Sequence, residues 1–534
     1  MVERRVEQHD SNQLELKLSY MLDPGVKRQR YLVESYMFVS RTLGTSGQSY
    51  TTERFFEDTS TFVRFKTPSV ALEALADDAR AQQWFSPVGD ALDVLLGGRR
   101  IDTRAFVRNL KLLGAIYRSA VRDEGALVLG RVETAEDIAA EGGLPRARSL
   151  TDAMSAFAAR AELAATRLRE MGGRCDDAIV PQVIRETWRA VDEYVAVYIE
   201  ETVTSLVAEC DAVMADEGPE VTAALKPGRE ACADLAIAEY RHRRARNYPS
   251  FAVPGETNEE LPRRQRILKR VVSSILYLDV PREEGGVIQR DVVPMIAAAL
   301  AMLFAIVVAV WAQLEWGILS STFMVIMVGS YMVKDRIKEW GKRYLGRRLA
   351  KWMPDYVGRV RDPTTNRSIG EVRESVSVMD PERLDPAILA LRHCDHPSTL
   401  ANDGRPEVAI RYVKEMMLKS KGLRDAMPGV EGLNDIIRFN FGHFRARMDD
   451  PIEVYRIVHP STREVLEVPC ARRYHINFIL RITRGRGLRR TTIAERVRVI
   501  LDQDGIQRVE QVDARGIGPI HDRVTGSLRA ARAS

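Results

Sequence analysis

The chain has 534 residues, enough for two or three domains, and a net charge of +5 at neutral pH. Its 45% hydrophobic and 29% charged content is normal for globular material, which excludes a chain that lies mostly within a membrane. The mild excess of basic residues does not by itself indicate a nucleic-acid partner, because nucleic-acid-binding domains concentrate such charge on one face. The five cysteines are sparse and widely spaced, which suits a reducing compartment.

Residues 1–95 have the pattern of a mixed α/β region. The segment Leu14–Leu18 alternates apolar and polar residues, as a half-buried strand does. Tyr31–Val39 and Phe62–Phe65 are further predicted strands, and a helix is expected to start at Ser69.

Residues 96–246 predict a helical, bundle-like domain. Apolar residues recur at helical spacing in Phe106–Val121, Leu150–Met171, Pro181–Met214 and Arg229–Arg246. A helix break is expected at Pro227-Gly228. Residues 247–291 form a basic juxtamembrane segment, in which 263–277 predicts a basic amphipathic helix on the membrane surface.

Residues 292–333 predict a two-helix transmembrane hairpin. Val292–Ala312 contains no charged residue and is about 30 Å long as a helix, which matches the hydrocarbon core of a bilayer. The second uncharged run, Gly317–Val333, follows after the four residues Gln313–Trp316. The polar N-terminus has no apolar run typical of a signal peptide, so insertion is expected to depend on this hairpin.

The charges that flank the hairpin predict its orientation. Lysine and arginine are abundant on both sides of it, whereas the connecting loop carries only Glu315. Because positive flanks stay on the cytoplasmic side, we expect a multi-pass protein of the cell inner membrane with both termini in the cytoplasm.

Small residues recur every four positions on both predicted membrane helices, where they allow close approach of two backbones. The predicted packing residues are Ala297, Ala301, Ala305 and Ala309 on the first helix and Gly317, Ser321 and Gly329 on the second. They serve either the internal pair or a neighbouring subunit. Neither run contains an ionisable residue, which argues against a pump or secondary transporter, and two helices form a pore only by oligomerising.

Residues 334–361 predict a basic amphipathic helix at the membrane interface. Its apolar residues fall near one face, and the opposite face is cationic. The residues expected to bind anionic lipid headgroups are Lys334, Lys338, Lys342, Arg343, Arg347, Arg348 and Lys351. The alternative is that the second membrane helix simply continues into a cytoplasmic stalk.

Residues 362–512 predict an α+β domain that ends in an antiparallel β-meander or sandwich. Leu384–Leu391 and Val408–Leu418 are predicted helices. From Ile436 onward the apolar period changes to two, with turn residues between six predicted strands. The tail, residues 513–534, is expected to be disordered.

The sequence carries few signs of catalysis. His393, Cys394 and His396 are candidates for metal ligands, although their spacing matches no standard zinc pattern. No Gly-x-Ser-x-Gly, His-Glu-x-x-His or Cys-x-x-Cys motif is present, and the paired glycines lack the other residues of a phosphate loop. The sequence assigns no cofactor and no catalytic residue.

The expected fold is therefore an α+β membrane protein, with a transmembrane hairpin between a mainly helical N-terminal region and a C-terminal α+β domain. The expected function is that of a non-catalytic scaffold, sensor or assembly factor. Its expected partners are the bilayer and anionic headgroups, with a homo-oligomer as a further possibility and no nucleic acid. The alternatives are a membrane-anchored metal- or nucleotide-dependent enzyme, or an oligomerising pore-forming effector.

Overall fold

A computed structural model describes residues 2–23, 25–45, 49–133, 143–285, 292–317, 320–350, 353–394, 407–427, 429–485 and 491–512. The chain forms two compact units. The α+β unit comprises residues 1–64, 278–428 and 432–534, and the helical unit comprises residues 65–277 with 429–431. The predicted disordered tail lies outside the described residues.

Fourteen strands are described, and all but the last residue of β4 belong to the α+β unit. They are β1 (Val2–Gln8), β2 (Gln13–Met21), β3 (Arg28–Ser40), β4 (Thr59–Phe65), β5 (Arg282–Glu284), β6 (Tyr356–Arg361), β7 (Ser368–Met379), β8 (Glu407–Lys419), β9 (Gly432–Asn440), β10 (Ile452–Val458), β11 (Val465–Ala471), β12 (Tyr474–Arg484), β13 (Thr491–Asp502) and β14 (Gly505–Val512). The helices of this unit are α1 (Thr52–Asp58), α9 (Val293–Trp316), α10 (Ser321–Ala350), α11 (Pro386–His393), α12 (Ser420–Ala426) and α13 (Gly442–Arg445).

The strands form three sheets. A four-stranded sheet has the order β1-β2-β9-β4, an eight-stranded sheet has the order β14-β13-β12-β3-β8-β7-β6-β5, and β10 pairs with β11 alone. The registered pairs are antiparallel, as in β12 with β13 and β3 with β8. The prediction of an α+β protein with antiparallel sheets is therefore confirmed.

Strand β3 lies at the centre of the unit and is buried on both faces. On one face Tyr31 packs against Tyr20 of β2, with ring centroids 4.5 Å apart. On the other face Tyr36 and Phe38 join a core cluster with Ile388 of α11. Because successive strand residues point to opposite faces, a strand buried on both faces needs consecutive apolar residues, which β3 supplies in its runs 31–33 and 36–39.

The two ends of the chain share this fold. Strand β2 pairs with β9, and β3 lies between β12 and β8. The sequence suggests regions 1–95 and 362–512 as separate domains. Residues 1–64 of the first region join the second in one unit, whereas residues 65–95 belong to the inserted helical unit, residues 65–277. Backbone hydrogen bonds make these pairings, and they leave no local trace in the sequence.

The segment Val408–Leu418, predicted as a helix, is the strand β8. Its buried residues alternate, and they include Lys414 in the interior. The period of two is obscured in the sequence because a lysine occupies a core position, where an apolar residue is expected.

The helical unit contains seven helices among its described residues: α2 (Leu72–Ala76), α3 (Asp78–Leu96), α4 (Thr103–Glu133), α5 (Gly143–Gly172), α6 (Gln182–Asp216), α7 (Pro219–Ala245) and α8 (Glu260–Ser273). Trp188 of α6 is fully buried and is the largest side chain of its core. The helix break expected at Pro227 is wrong, because α7 continues through it. Gly228 lies against the backbone of α5, where an added Cβ would be 2.8 Å from the Thr151 Cα.

Helix α8 is the segment predicted to lie on a membrane surface. Its apolar residues Leu268 and Val272 are buried within the helical unit. Arg264 forms a forked ion pair with Glu193 of α6, with a shortest N–O distance of 2.5 Å. The apolar face of α8 is thus covered by its own unit.

Candidate functional site: an apolar helical hairpin

The helices α9 and α10 form a hairpin inserted between two neighbouring strands. They follow β5, the edge strand of the eight-stranded sheet, and precede its antiparallel neighbour β6, and Glu284 of β5 pairs with Tyr356 of β6. An added Cβ on Gly341 of α10 would lie 3.0 Å from the Cβ of Ala297, which places the end of α10 beside the start of α9. Both ends of the hairpin are therefore fixed at the same sheet edge.

The outer surface of the hairpin is apolar and is not covered by the rest of the unit. Helix α9 is about 36 Å long, and only 17% of its most apolar stretch is buried. Leu314 is 83% exposed, and Met295, Val325 and Met332 are also exposed. Among the described residues, α9 is the one helix long and apolar enough to cross a membrane, judged by length and composition.

The small residues predicted to pack occupy different environments. Ala297 and Ala301 are buried, and Ala305 and Ala309 are half-buried. On α10 the buried small residue is Ser330. The structure leaves the other predicted positions, Gly317, Ser321 and Gly329, exposed.

The uncharged stretches of α9 and α10 are offset from each other along the hairpin. Gly341 lies beside Ala297, and the helices are antiparallel. Lys334 is therefore level with about Phe304, halfway along α9. The layer between this level and Glu315, in which both helices are uncharged, is about 15 Å deep, half the roughly 30 Å of a typical hydrocarbon core. The Lys334 ammonium lies 4.1 Å from the centroid of the Tyr331 ring.

Helix α10 continues without interruption to Ala350, so the first part of the segment 334–361 is not a separate helix, and the end of that segment, Tyr356–Arg361, is strand β6 rather than helix. Lys334, Lys338 and Lys342 are half-buried and Arg343 is exposed. The side chains of Arg347 and Arg348, and the whole of Lys351, lie outside the described part of the chain. Trp340 and Tyr344 are 67% and 58% exposed, as expected of aromatic residues available to a membrane interface.

The predicted metal ligands are only partly described. Cys394 follows α11, and its thiol lies 3.6 Å from the guanidinium of Arg496, which is buried. A fixed positive charge at this distance opposes the binding of a dication. His396 lies outside the described residues, and the described ranges contain no group of histidine, cysteine and carboxylate side chains able to hold a metal ion.

A buried charged cluster joins the two larger sheets of the α+β unit. Lys414 of β8 is 1% exposed, and its ammonium lies 2.7 Å from the carboxylate of Asp435 on β9 and 3.9 Å from that of Glu374 on β7. Tyr20 donates to Asp435 at 3.2 Å and Tyr412 donates to Glu374 at 2.5 Å. Burial raises the pKa of Asp435, and the charge of Lys414 opposes that rise.

Arg282 connects the cluster to the hairpin. It lies on β5, directly before α9, and donates to Glu374 at 3.0 Å and to Thr61 at 3.0 Å. The edge strand from which the hairpin leaves is thus held to its sheet by side chains as well as by the backbone.

The helical unit has a second buried cluster, centred on Asp192 of α6. Its carboxylate accepts hydrogen bonds from Tyr248 at 2.8 Å and Arg169 at 3.1 Å, and it lies 2.9 Å from the His242 ring. Burial alone raises the pKa of Asp192, but these partners together hold it below its usual value. Arg169 also binds Glu239 of α7. The cluster joins α5, α6 and α7, and its oxygens are occupied by the fold.

Sequence reasoning does not reveal either cluster. Their members are tens to hundreds of residues apart, and each alone resembles an ordinary polar residue. The one local signal is Lys414, a charge in a segment whose other inward-facing residues are mainly apolar.

Comparisons with known proteins add no relative. No family model matches the chain, no curated protein matches it, and no solved structure matches its fold.

Proposed function

We propose that the chain is a membrane-anchored protein whose hairpin α9–α10 crosses the bilayer twice and holds the α+β unit on the cytoplasmic face of the inner membrane. The observation that carries the proposal is an exposed helix, uncharged over residues 293–314, inserted with α10 between two adjacent strands. An apolar surface of this size is unfavourable in water and is favourable in hydrocarbon.

The attachment of the hairpin supports an even number of crossings. Strands β5 and β6 are neighbours in one sheet, and that sheet lies on one side of any membrane. If α9 crosses the bilayer, the chain must cross again before Tyr356, and α10 is the helix that follows. The positive flanks favour the cytoplasm for both soluble ends.

The position of Lys334 on α10 limits how the hairpin crosses a bilayer. Because Lys334 lies level with the middle of α9, two full crossings require local thinning of the bilayer and extension of cationic side chains to the headgroups. Lys338, Lys342 and Arg343 then contact anionic lipids. The exposed Trp340 and Tyr344 occupy the interface.

We propose further that the soluble units act by binding, as a scaffold, sensor or assembly factor. The support comes from the two buried clusters. The carboxylates of Asp192 and Asp435 are engaged by side chains of their own units, which is how structural ion pairs are built.

Single-cysteine labelling tests the topology. The background variant is Cys394→Ser with Cys470→Ser. It retains three buried cysteines whose thiol pKa values are raised by burial, to about 11 or 12, and which therefore react slowly. Leu314→Cys marks the hairpin tip, Val307→Cys marks the apolar layer, and Ser461→Cys marks the turn after β10. A membrane-impermeant maleimide is applied to spheroplasts and to inside-out vesicles.

Two crossings predict that Leu314→Cys reacts only in spheroplasts, Ser461→Cys only in vesicles, and Val307→Cys in neither. A tip that reacts from neither side contradicts two crossings and leaves a hairpin that enters and leaves by one face. A tip that reacts from the same side as Ser461→Cys rules out a membrane hairpin, as does release of the protein by alkaline carbonate.

A further inference from the structure

A groove in the helical unit is separate from the hairpin and from both charged clusters. It lies among α4, α6 and α8 and has a volume of about 830 Å³. This is within the range of sites for small molecules, about 300–1,000 Å³. Each of the three helices contributes residues spaced three or four apart, so each presents one continuous face to it.

The floor of the groove is apolar. Val197, Leu206 and Leu268 line it and are buried. At its base α4 and α6 approach closely at Gly125, where an added Cβ would lie 2.5 Å from the methyl group of Thr202. This floor favours a hydrocarbon ligand over a fully polar one.

The rim of the groove is cationic. It carries Arg118 and Arg122 from α4 and Arg266 and Lys269 from α8, and Glu201 is the carboxylate among its lining residues. Arg122 is also paired with Asp123 beside the groove. The rim therefore favours an anionic group at the mouth of an apolar channel.

Two of these arginines have no carboxylate partner within the part of the chain that the structure describes. The guanidinium of Arg118 lies 5.0 Å from the centroid of the Tyr198 ring, and that of Arg266 donates to the Pro262 carbonyl at 3.2 Å. Most other arginines near the core of this unit are paired, as Arg169 and Arg264 are. Arg118 and Arg266 thus retain donors for an external anion.

We propose that this groove binds an amphiphilic anion, with its phosphate or carboxylate head between Arg118 and Arg266 and a hydrocarbon tail along Val197, Leu206 and Leu268. The anion comes either from the surrounding bilayer, as an anionic lipid, or from solution, as a free amphiphile. The proposal is independent of how the hairpin crosses the membrane.

The test uses the full-length protein in phosphatidylcholine nanodiscs. Dodecyl phosphate, below its micellar concentration, displaces a fluorescent dansyl fatty acid, and empty nanodiscs give the background. Dodecanol supplies the tail without the charge, and inorganic phosphate supplies the charge without the tail. We expect one-to-one displacement by dodecyl phosphate only.

Two variants and two matched controls locate the site. Arg118→Gln with Arg266→Gln removes both head contacts and weakens binding at least about tenfold. Ala126→Trp fills the groove and abolishes binding. The controls are Arg104→Gln with Arg263→Gln, which removes the same charge from exposed positions on α4 and α8, and Ala105→Trp on the exposed face of α4. Both controls should bind as the unaltered protein does, and circular dichroism should show intact helices throughout.

Native mass spectrometry distinguishes the two sources. Phosphatidylglycerol retained from mixed nanodiscs by the unaltered protein, and lost in Ala126→Trp, assigns the bilayer as the source. Binding of added dodecyl phosphate without retained phosphatidylglycerol assigns a free amphiphile. Equal displacement by dodecanol, or unchanged binding in a folded groove variant, overturns the proposal.

Discussion

Replacement of Lys414 by methionine should destabilise the interior of the α+β unit strongly. The ammonium is 1% exposed and lies 2.7 Å from Asp435, which is fully buried. Removal of one partner of a buried ion pair leaves an uncompensated charge and costs about 3–5 kcal/mol. Glu374 retains its hydrogen bonds from Arg282 and Tyr412. The carboxylate left without a charged partner is therefore that of Asp435.

The destabilisation caused by Lys414→Met should be smaller at acidic pH. Burial already raises the pKa of Asp435, and loss of Lys414 removes the charge that opposes this rise. The folded variant therefore keeps a proton that the unfolded chain loses above about pH 4. Its free energy of opening should fall as the pH rises from 4 through the raised pKa, so the variant is less destabilised at pH 5 than at pH 8.

Hydrogen exchange of the β8 and β9 amides in the full-length protein measures this local free energy. The double variant Lys414→Met with Asp435→Asn removes both charges and keeps an acceptor for Tyr20, so it should recover most of the loss. The control is Arg456→Met. It breaks an exposed pair with Glu467 and should change protection by less than about 1 kcal/mol. Full protection in Lys414→Met, or greater destabilisation at pH 5, would refute the reasoning.

Three further variants test packing and charge elsewhere. Asp192→Asn should cost about 3 kcal/mol in the helical unit at pH 7. Because the pKa of Asp192 is lowered, the native protein should lose this contribution on acidification below about pH 4, and urea unfolding should show that the variant lacks this acid dependence. Ile388→Ala in the α11 cluster should cost about 2–5 kcal/mol, seen as faster exchange in β3, with the exposed Leu314→Ala as control. Gly228→Ala should separate α5 from α7 at Thr151 and cost about 1–3 kcal/mol, whereas Gly130→Ala, whose added Cβ would have no described atom outside its own helix within 4 Å, should not lower the thermal midpoint.

The features that the sequence alone determined are local ones. The long helices α4 to α7 show an apolar repeat at helical spacing, and the strands from β9 to β14 show alternation bounded by turn residues. The uncharged run of α9 is equally evident, because the composition of about twenty consecutive residues decides whether a helix tolerates hydrocarbon. The helix end predicted at Pro227 is wrong, because tertiary packing allows α7 to continue past a residue that usually ends a helix.

Only the tertiary structure decided which segments meet. The pairing of β2 with β9 and of β3 with β12 joins residues more than 400 positions apart, through backbone groups that every residue possesses. The ion pair of Lys414 with Asp435 likewise forms only when the fold brings two distant residues together. The groove among α4, α6 and α8 also exists only because the fold places apolar and cationic side chains of three helices side by side. Local sequence fixes the periodicity of an element, whereas burial, pKa and binding depend on distances that the folded chain alone sets.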